Sequence, residues 1–461
     1  MRFDNLAAIT GGTVYNTDNA ARTFAGVGID SRSITAGQLF VAIRGEHNDG
    51  HDFITAAVDA GATGIVAEQT WPGLQNVRGD VAVVAVNNSH QAMLTLAADY
   101  RDKLDARIIG ITGSNGKTTT KELTYHLLAA VTPDVYRSPG NLNNLYGVPL
   151  ALFAIDPNTK HAVLELGIST TTEMPKLAEI VRPDVVAITN VGPSHLQFLD
   201  TVESIACAKL DLVRDADPGV PLVINADDTI LMKQAMLVRD NPITFALDSE
   251  ADFSVDQVEP NGVDSTNVTI EGYKFRLPLA GRHQVANLLG AYAIVRTLGF
   301  DFEDVDTENI QLSTAPMRGQ TVEHAGITFV SDCYNANPAS VRAGLEAFFA
   351  LPAASRRIVV LGDMLELGRE AEKYHREVGE LLAQHEFDLA ALVGPLSKHT
   401  FDSLVGTGIE LSRLRHHPDA ASCAVELGAY FMANDFVYVK ASRGVGLEAV
   451  IHAVAHQGED G

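Results

Sequence analysis

Cysteine is scarce: Cys207, Cys333 and Cys423 are the only three thiols in 461 residues. Their wide separation excludes a disulfide framework and a zinc site, whose ligands recur at short fixed spacings, and they read as reduced, mostly buried thiols. Positive charge is also short, with 34 basic against 58 acidic residues and a formal charge of -24. So acidic a chain repels a phosphate backbone, and no basic cluster offsets this, so nucleic acid is not an expected partner. No stretch approaches about 18 uninterrupted apolar residues. The start, MRFDNLAAITGG, lacks the basic segment and apolar core of a secretory signal. The expectation is a cytoplasmic protein without membrane insertion. Low-complexity tracts and internal repeats are missing too, which removes disordered and solenoid classes.

What remains is an ordinary globular composition, 46% hydrophobic and 20% charged, in a chain long enough for about three domains. From residue 108 onward, β-branched runs alternate with helical patterns, as in parallel sheets covered by helices. Strands are expected at Arg107 to Thr112, His161 to Leu166, Asp184 to Thr189 and Pro221 to Asn225. Between 245 and 280 the alternation of Asp, Val, Thr and Gly suits an antiparallel excursion within the same central part. After Ala315-Pro-Met-Arg-Gly319 the alternation restarts, with strands at Ile327 to Val330, Ile358 to Leu361, Leu389 to Val393 and Phe436 to Val439. The first eighty or so residues carry short strands at Leu39 to Ile43 and Gly64 to Ala67 around a helix from Phe53 to Ala60 that Gly61 ends. The expected fold class is α/β with three domains: a small N-terminal α/β domain, a central P-loop domain with a mostly parallel sheet, and a C-terminal Rossmann-like, doubly wound domain.

The chemistry starts at Thr112-Gly-Ser-Asn-Gly-Lys-Thr-Thr-Thr120, directly after the apolar run Ile108 to Ile111. A strand that stops at a glycine-rich turn and restarts as a helix points backbone N–H groups at one spot, and the helix dipole adds positive potential there. Gly113 and Gly116 permit the turn, Lys117 can reach terminal phosphates, and the Thr118 hydroxyl can ligate Mg²⁺. Leu123, Leu127 and Ala130 give the following helix an apolar stripe, which makes a chance turn a poor account. The loop is a shortened variant of the general nucleotide pattern, because its first glycine would fall at Ile111. Kinases, GTPases, motors and ligases all handle a γ-phosphoryl group this way. Guanine readers carry Asn-Lys-x-Asp, and no Asn-Lys pair occurs, so ATP is the expected nucleotide.

A phosphoryl-transfer site also wants carboxylates at strand ends, and Glu165 in Ala162-Val-Leu-Glu-Leu-Gly167 is the candidate metal ligand. The alternative is a solvated residue at a sheet edge, but an unpaired acid inside such a run is costly to bury. His195, on the loop after the next strand, reads equally as a metal or substrate ligand and as an incidental histidine. Lys209, in Ala206-Cys-Ala-Lys-Leu-Asp-Leu-Val213, reads from the residues alone as a snorkelling lysine on an amphipathic helix.

With the loop, Glu165, His195 and Lys209 in this order, the chain resembles the Mur ligase family, the ATP-dependent amide-forming enzymes of peptidoglycan precursor synthesis. The resemblance runs nearly end to end. It is strongest in GNLNNLYGVPL (140 to 150), DCYNANPASVRAG (332 to 344) and LGDMLELG (361 to 368), which look most like the branch joining D-alanyl-D-alanine to UDP-N-acetylmuramoyl-tripeptide. The resemblance implies that Thr118 and Glu165 ligate one Mg²⁺ and that His195 and Lys209 help hold a second, the lysine being carbamylated. It implies ATP contacts from Gly113, Ser114, Asn115, Gly116, Lys117, Thr118, Thr119, Asn287, Arg318, Asp332 and Tyr334. From the residues alone, Asn287 reads also as a buried amide and Tyr334 as core. Substrate contacts are implied for Ser31, Arg32, Asn141, Asn143, Asn144, Asn335 and Asn337, while Asp49 and His51 read as an ordinary surface turn. The parts implied are 1–86 for the UDP-sugar substrate, 87–315 for ATP, and 316–461 for the donor amine and further ATP contacts. Catalysis is expected to rest on Lys117, Glu165, His195 and Lys209 in a monomer acting on small molecules. The rival readings are another Mur-type ligase, a folylpolyglutamate synthetase, and a nucleotide-dependent regulator that joins nothing.

Overall fold

In the strand Arg357–Gly362, Ile358 and Val360 enter one apolar cluster and Val359 and Leu361 enter another. Strand side chains alternate between faces, so a run apolar at every position must be covered on both sides. The helices Pro338–Ala350, Ala371–Leu382 and Ser397–Gly406 cover one face through Leu345, Phe348, Leu382 and Leu404, and Ala420–Tyr430 and Ala449–Ala455 cover the other through Cys423, Leu427 and Val450. The sheet has six strands. Phe436–Lys440, Arg357–Gly362, Leu389–Val393 and Leu414–His417 run parallel, and Ile327–Ser331 joins Phe436–Lys440 in the same sense. Gln320–His324 pairs antiparallel at the edge, through a turn in which Ala325 and Gly326 both have positive φ. This is the doubly wound arrangement expected for the last part of the chain.

The computed structural model describes residues 1–45, 47–194, 196–351 and 356–455. The chain packs as two compact units, one made of 1–110, 134–168 and 172–184, the other of 111–133, 169–171 and 185–461. Among the described residues no helix is long and apolar enough to cross a membrane.

The first unit holds a five-stranded sheet. Val27–Gly28, Leu39–Val41, Gly64–Glu68 and Ala82–Val86 are parallel, and Thr13–Val14 closes the edge antiparallel. The expected helix at 53–60 is shorter, a 3-10 turn at Gly50–Phe53 leading into Ile54–Asp59. Asn88 caps the long helix Ser89–Arg101 by accepting from the Gln91 amide. Gly64 lies flat against the ring of Phe3, where an added Cβ would sit 2.1 Å from the nearest ring carbon. Both residues are buried, so Gly64→Ala is expected to destabilise this unit by about 2 kcal/mol through overpacking, read as a lowered urea midpoint with unchanged slope.

In the second unit, Val185–Ile188, Leu222–Asn225 and Ile243–Phe245 are parallel neighbours, and the Thr189 amide donates to the Thr112 carbonyl. The helix Lys117–Val131 packs along the helix Arg282–Thr297. The 245–280 region is antiparallel as expected, with Gln257–Asn261, Ser265–Ile270 and Tyr273–Leu277 in one three-stranded sheet.

Candidate active site

The glycine-rich loop sits between the strand Arg107–Thr112 and the helix Lys117–Val131. Gly113 and Gly116 have φ of 149° and 80°. A Cβ at Gly113 would fall 1.9 Å from Thr189 Oγ1, and one at Gly116 would fall 2.2 Å from Asn287 Oδ1. Both glycines are therefore required by backbone conformation and by close approach. The loop is braced by the segment 189–194. The amides of Ser114 and Asn115 donate to the backbone and side-chain oxygens of Asn190, and Thr189 Oγ1 donates to the Asn115 carbonyl at 2.5 Å. Ser114 and Asn115 thus spend their N–H groups inside the protein. The first intrahelical bond runs from Thr120 to the Gly116 carbonyl, which leaves the first turn, from Lys117 on, with N–H groups no helix carbonyl can satisfy. Thr118 and Thr119 are buried beneath that turn, and Lys117 Nζ curls back to donate to the Gly113 carbonyl at 2.8 Å.

Asn287 reaches this loop from the helix Arg282–Thr297, accepting weakly from Thr120 Oγ1 at 3.4 Å and donating to Gln284 Oε1 at 2.9 Å. Gln284 in turn donates to the Arg318 carbonyl, and the Arg318 guanidinium lies 4.0 Å from the centre of the Tyr334 ring. Arg318 Nε is buried and has no hydrogen-bond partner among the described residues. From the same C-terminal sheet, Asn337 Nδ2 donates to Asn115 Oδ1 at 2.7 Å. Asn337 is placed there by its own sequence: followed by Pro338, it caps the helix Pro338–Ala350 in a reciprocal box with Ser340. Its amide is therefore used at both ends. Asn335 is exposed, and the carboxylate of Asp332 accepts from Tyr438 and Lys440. The motif 361–368 lies against the short helix Leu196–Leu199, with Gln197 donating to the Glu366 carbonyl.

Lys209 departs from the reading as a snorkelling side chain. It is 2% exposed on the helix Val202–Arg214, because its neighbours Ile205, Ala206, Leu210, Leu212 and Val213 are buried with it. Among the described residues no acid contributes to its surroundings. Burial first, and the charge of Lys117 second, hold its amine well below the usual lysine range. A short sequence window shows one apolar stripe and cannot show that the helix is covered on its remaining face. His195 lies outside the described residues.

In the first unit, Glu165 ends the strand His161–Glu165 and is 1% exposed, with Oε1 accepting from Asn143 Nδ2 at 2.7 Å. Asn144 instead serves the chain locally, its Oδ1 accepting from the amides of Tyr146 and Gly147, while Asn141 is exposed. Ser31 is half-buried. Arg32 is exposed and forms a two-pronged pair with Asp30, whose carboxyl that contact lowers to about 2. His51 is an internal strut: Nδ1 meets Asp49 Oδ1 at 2.6 Å and Nε2 accepts from the Glu68 amide.

Hydroxyl and carboxylate oxygens such as those of Thr118 and Glu165 are the donors Mg²⁺ prefers. Among the described residues no cluster of three or more His, Cys, Asp or Glu side chains is arranged to hold a metal. Tyr438, Lys440 and Gln284 were not singled out in the sequence. Lys440 directly follows the expected strand Phe436 to Val439 and carries no motif that would mark it.

A braced glycine loop, its lysine, and an asparagine brought onto it from a doubly wound sheet define a P-loop protein that handles nucleoside phosphates. Comparison with known proteins narrows this. Residues 23–101 match the model of the Mur ligase family catalytic domain, 111–295 that of the Mur ligase middle domain, and 317–443 that of the Mur ligase glutamate ligase domain. The UDP-N-acetylmuramoyl-tripeptide:D-alanyl-D-alanine ligase of Bacillus subtilis is 31% identical over 97% of this chain and 96% of its own. MurF from Acinetobacter baumannii superposes with a TM-score of 0.85 at 26% identity, covering 99% of this chain and 98% of the other. MurF from Thermotoga maritima, solved in complex with ADP, gives 0.80 at 28% identity over 95% and 98%. The chain belongs to the Mur ligase family, and it is an ATP-dependent ligase.

Proposed function

We propose that the protein joins a D-alanyl-D-alanine type dipeptide to UDP-N-acetylmuramoyl-tripeptide, consuming ATP, in the cytoplasmic synthesis of peptidoglycan precursors. The observation that carries this reading is the bond between Asn337 and Asn115, which lays a loop of the C-terminal sheet on the phosphate loop. A ligase needs such a contact, because the amine donor must arrive where the γ-phosphoryl group has just moved. The likeness in length and sequence to the Bacillus subtilis ligase supports the choice of substrates.

A carboxylate is a poor electrophile. In the proposed reaction one of its oxygens attacks the γ-phosphorus of ATP, the bond to the β-phosphate oxygen breaks, and ADP leaves. The dipeptide amine then attacks the acyl carbon, phosphate departs with the shared electron pair, and the amine gives up its proton as the amide forms. Lys117 and the first turn of its helix offset the charge of one anion approaching another. Asn287 holds the loop from below, and Arg318 with Tyr334 presents a flat cationic surface suited to a nucleotide base or phosphate. Residues 1–86 hold the UDP-sugar end through Ser31 and Arg32, 87–315 bind ATP, and 316–461 bring the donor. Asn141, Asn143, Asn144 and Asn335 are proposed substrate contacts, with Asn143 also orienting Glu165 and Asn144 holding its turn.

The oxygens of Thr118 and Glu165 suit Mg²⁺, and Lys209 would suit a second ion once carbamylated, His195 being the other residue proposed for that ion. Mg²⁺ supplies neutralisation of phosphate charge. Burial and the charge of Lys117 favour the neutral Lys209 amine, the form that takes up CO₂, and the carbamate so formed would be an anion near the Lys117 cation. The proposed active form is a monomer.

The test is a coupling assay with the purified protein, ATP, a panel of UDP-muramyl tripeptides and dipeptide donors, read by mass spectrometry. The expected outcome is a UDP-muramyl pentapeptide whose formation needs ATP and both substrates. Phosphate release independent of acceptor or donor, or activity confined to folate substrates, would refute the proposal.

A further inference from the structure

The strand Phe436–Lys440 and the residue two places beyond it carry three buried polar side chains, and all three serve one loop. Tyr438 OH donates to Asp332 Oδ2 at 3.0 Å. Lys440 Nζ donates to the same oxygen at 2.6 Å and to the Asn335 carbonyl at 3.2 Å. Ser442 Oγ donates to the Ala336 carbonyl at 3.2 Å and accepts from the Leu365 amide at 2.9 Å. The backbone adds a bond from the Asp332 amide to the Val439 carbonyl. The loop so fixed ends at Asn337, which touches the phosphate loop.

We propose that Lys440, seconded by Tyr438, is a positioning residue: by tying Asp332 and Asn335 to the end of this strand it sets where Asn337 meets Asn115. The proposal rests on the reading of the phosphate loop as the site of γ-phosphoryl transfer.

Three features support a mechanical role over a ligand-binding one. The cavity beside the cluster, lined by His283, Asp332 and Tyr438 among apolar side chains, measures about 20 Å³ and admits no substrate. The helix Pro338–Ala350 has glycine at 344, where a Cβ would lie 1.7 Å from the Tyr438 hydroxyl, so the sequence leaves room for that oxygen. His283, on the helix that carries Asn287, faces Asp332, and burial lowers its imidazole to about 4. It stays neutral at pH 7 and does not compete with Lys440 for the carboxylate. A compact ammonium can bond a carboxylate and a carbonyl in different directions at once, which a planar guanidinium cannot copy in the same space.

Hydrogen exchange on the full-length protein tests this without any substrate. Lys440→Met is expected to speed exchange of the amides from Asp332 to Asn337 by about ten-fold, and Tyr438→Phe by less, while Leu389–Val393 stays protected. Tyr438→Phe removes one oxygen and keeps the ring, so it remains informative if Lys440→Met folds poorly. In the coupling assay, Lys440→Met should lower kcat far more than it changes the KM for ATP. In a background of Asn337→Ala the same change should add little, because both act through one contact. Lys440→Arg should not restore kcat. Unchanged exchange at 332–337 in both variants, or fully additive losses with Asn337→Ala, would overturn the proposal. A wild-type protein that couples nothing would sink the substrate assignment and leave the exchange result to decide this one.

Discussion

Lys117→Ala is expected to lower turnover by about 1,000-fold or more while leaving the fold intact, since a preorganised charge at developing negative charge is worth that much. The side chain is partly exposed and its ammonium bonds a loop carbonyl, so a modest cost of about 1 kcal/mol to the folded state is expected. In phosphoryl transfer the same ammonium follows charge that grows between ground state and transition state, so kcat should fall more than the affinity for ATP. Steady-state kinetics with a thermal melt of the same sample separate these effects. A variant that melts normally and still makes peptide bonds at the wild-type rate would remove the phosphate loop from the chemistry altogether.

The second large effect is expected at Lys209. Lys209→Arg places a permanent charge in a buried site, so its thermal melt is read beside its turnover to separate lost folding from lost chemistry. A guanidinium cannot lose its proton or accept CO₂ at neutral pH. Turnover is therefore expected to fall by about 1,000-fold, the scale of losing one preorganised electrostatic group. Stripping dissolved CO₂ from wild-type protein should lower activity, and returning bicarbonate should restore it, whereas the variant should respond to neither. Activity indifferent to bicarbonate, with Lys209→Arg near wild type, would return this lysine to ordinary packing.

The glycines at 113 and 116, the lysine after them and the strand before them form one pattern contained in a single short stretch of sequence, although Thr189, Asn190 and Asn287 brace it from afar. That is why the phosphate loop is legible directly; the strands expected from 107 onward lie within a residue or two of where they form, whereas the short parallel strands Val135–Arg137, Ile243–Phe245 and Leu414–His417 carry too few residues to be expected. The short edge strands Thr13–Val14 and Gln320–His324 were missed because two to five half-exposed residues leave no periodicity to count. Only the reading of Lys209 as a snorkelling side chain is overturned, because burial of its second face comes from distant elements. Asn144 and Asn337 show the same limit from the other side. Each is a local cap, yet only Asn337 also reaches a residue more than 200 positions away. Lys440 and Tyr438 carry no motif, since what distinguishes them is the loop that tertiary packing brings over them.

Asn337 meets Asn115 through a single pair of uncharged amides, and a hydrogen bond of that kind contributes only about 1 kcal/mol net in water. Such a clasp is weak enough for thermal motion to undo it in every catalytic cycle. A Lys in its place would donate to the same Asn115 oxygen with a full charge, so a tighter lock at this point is expected to produce a slower enzyme.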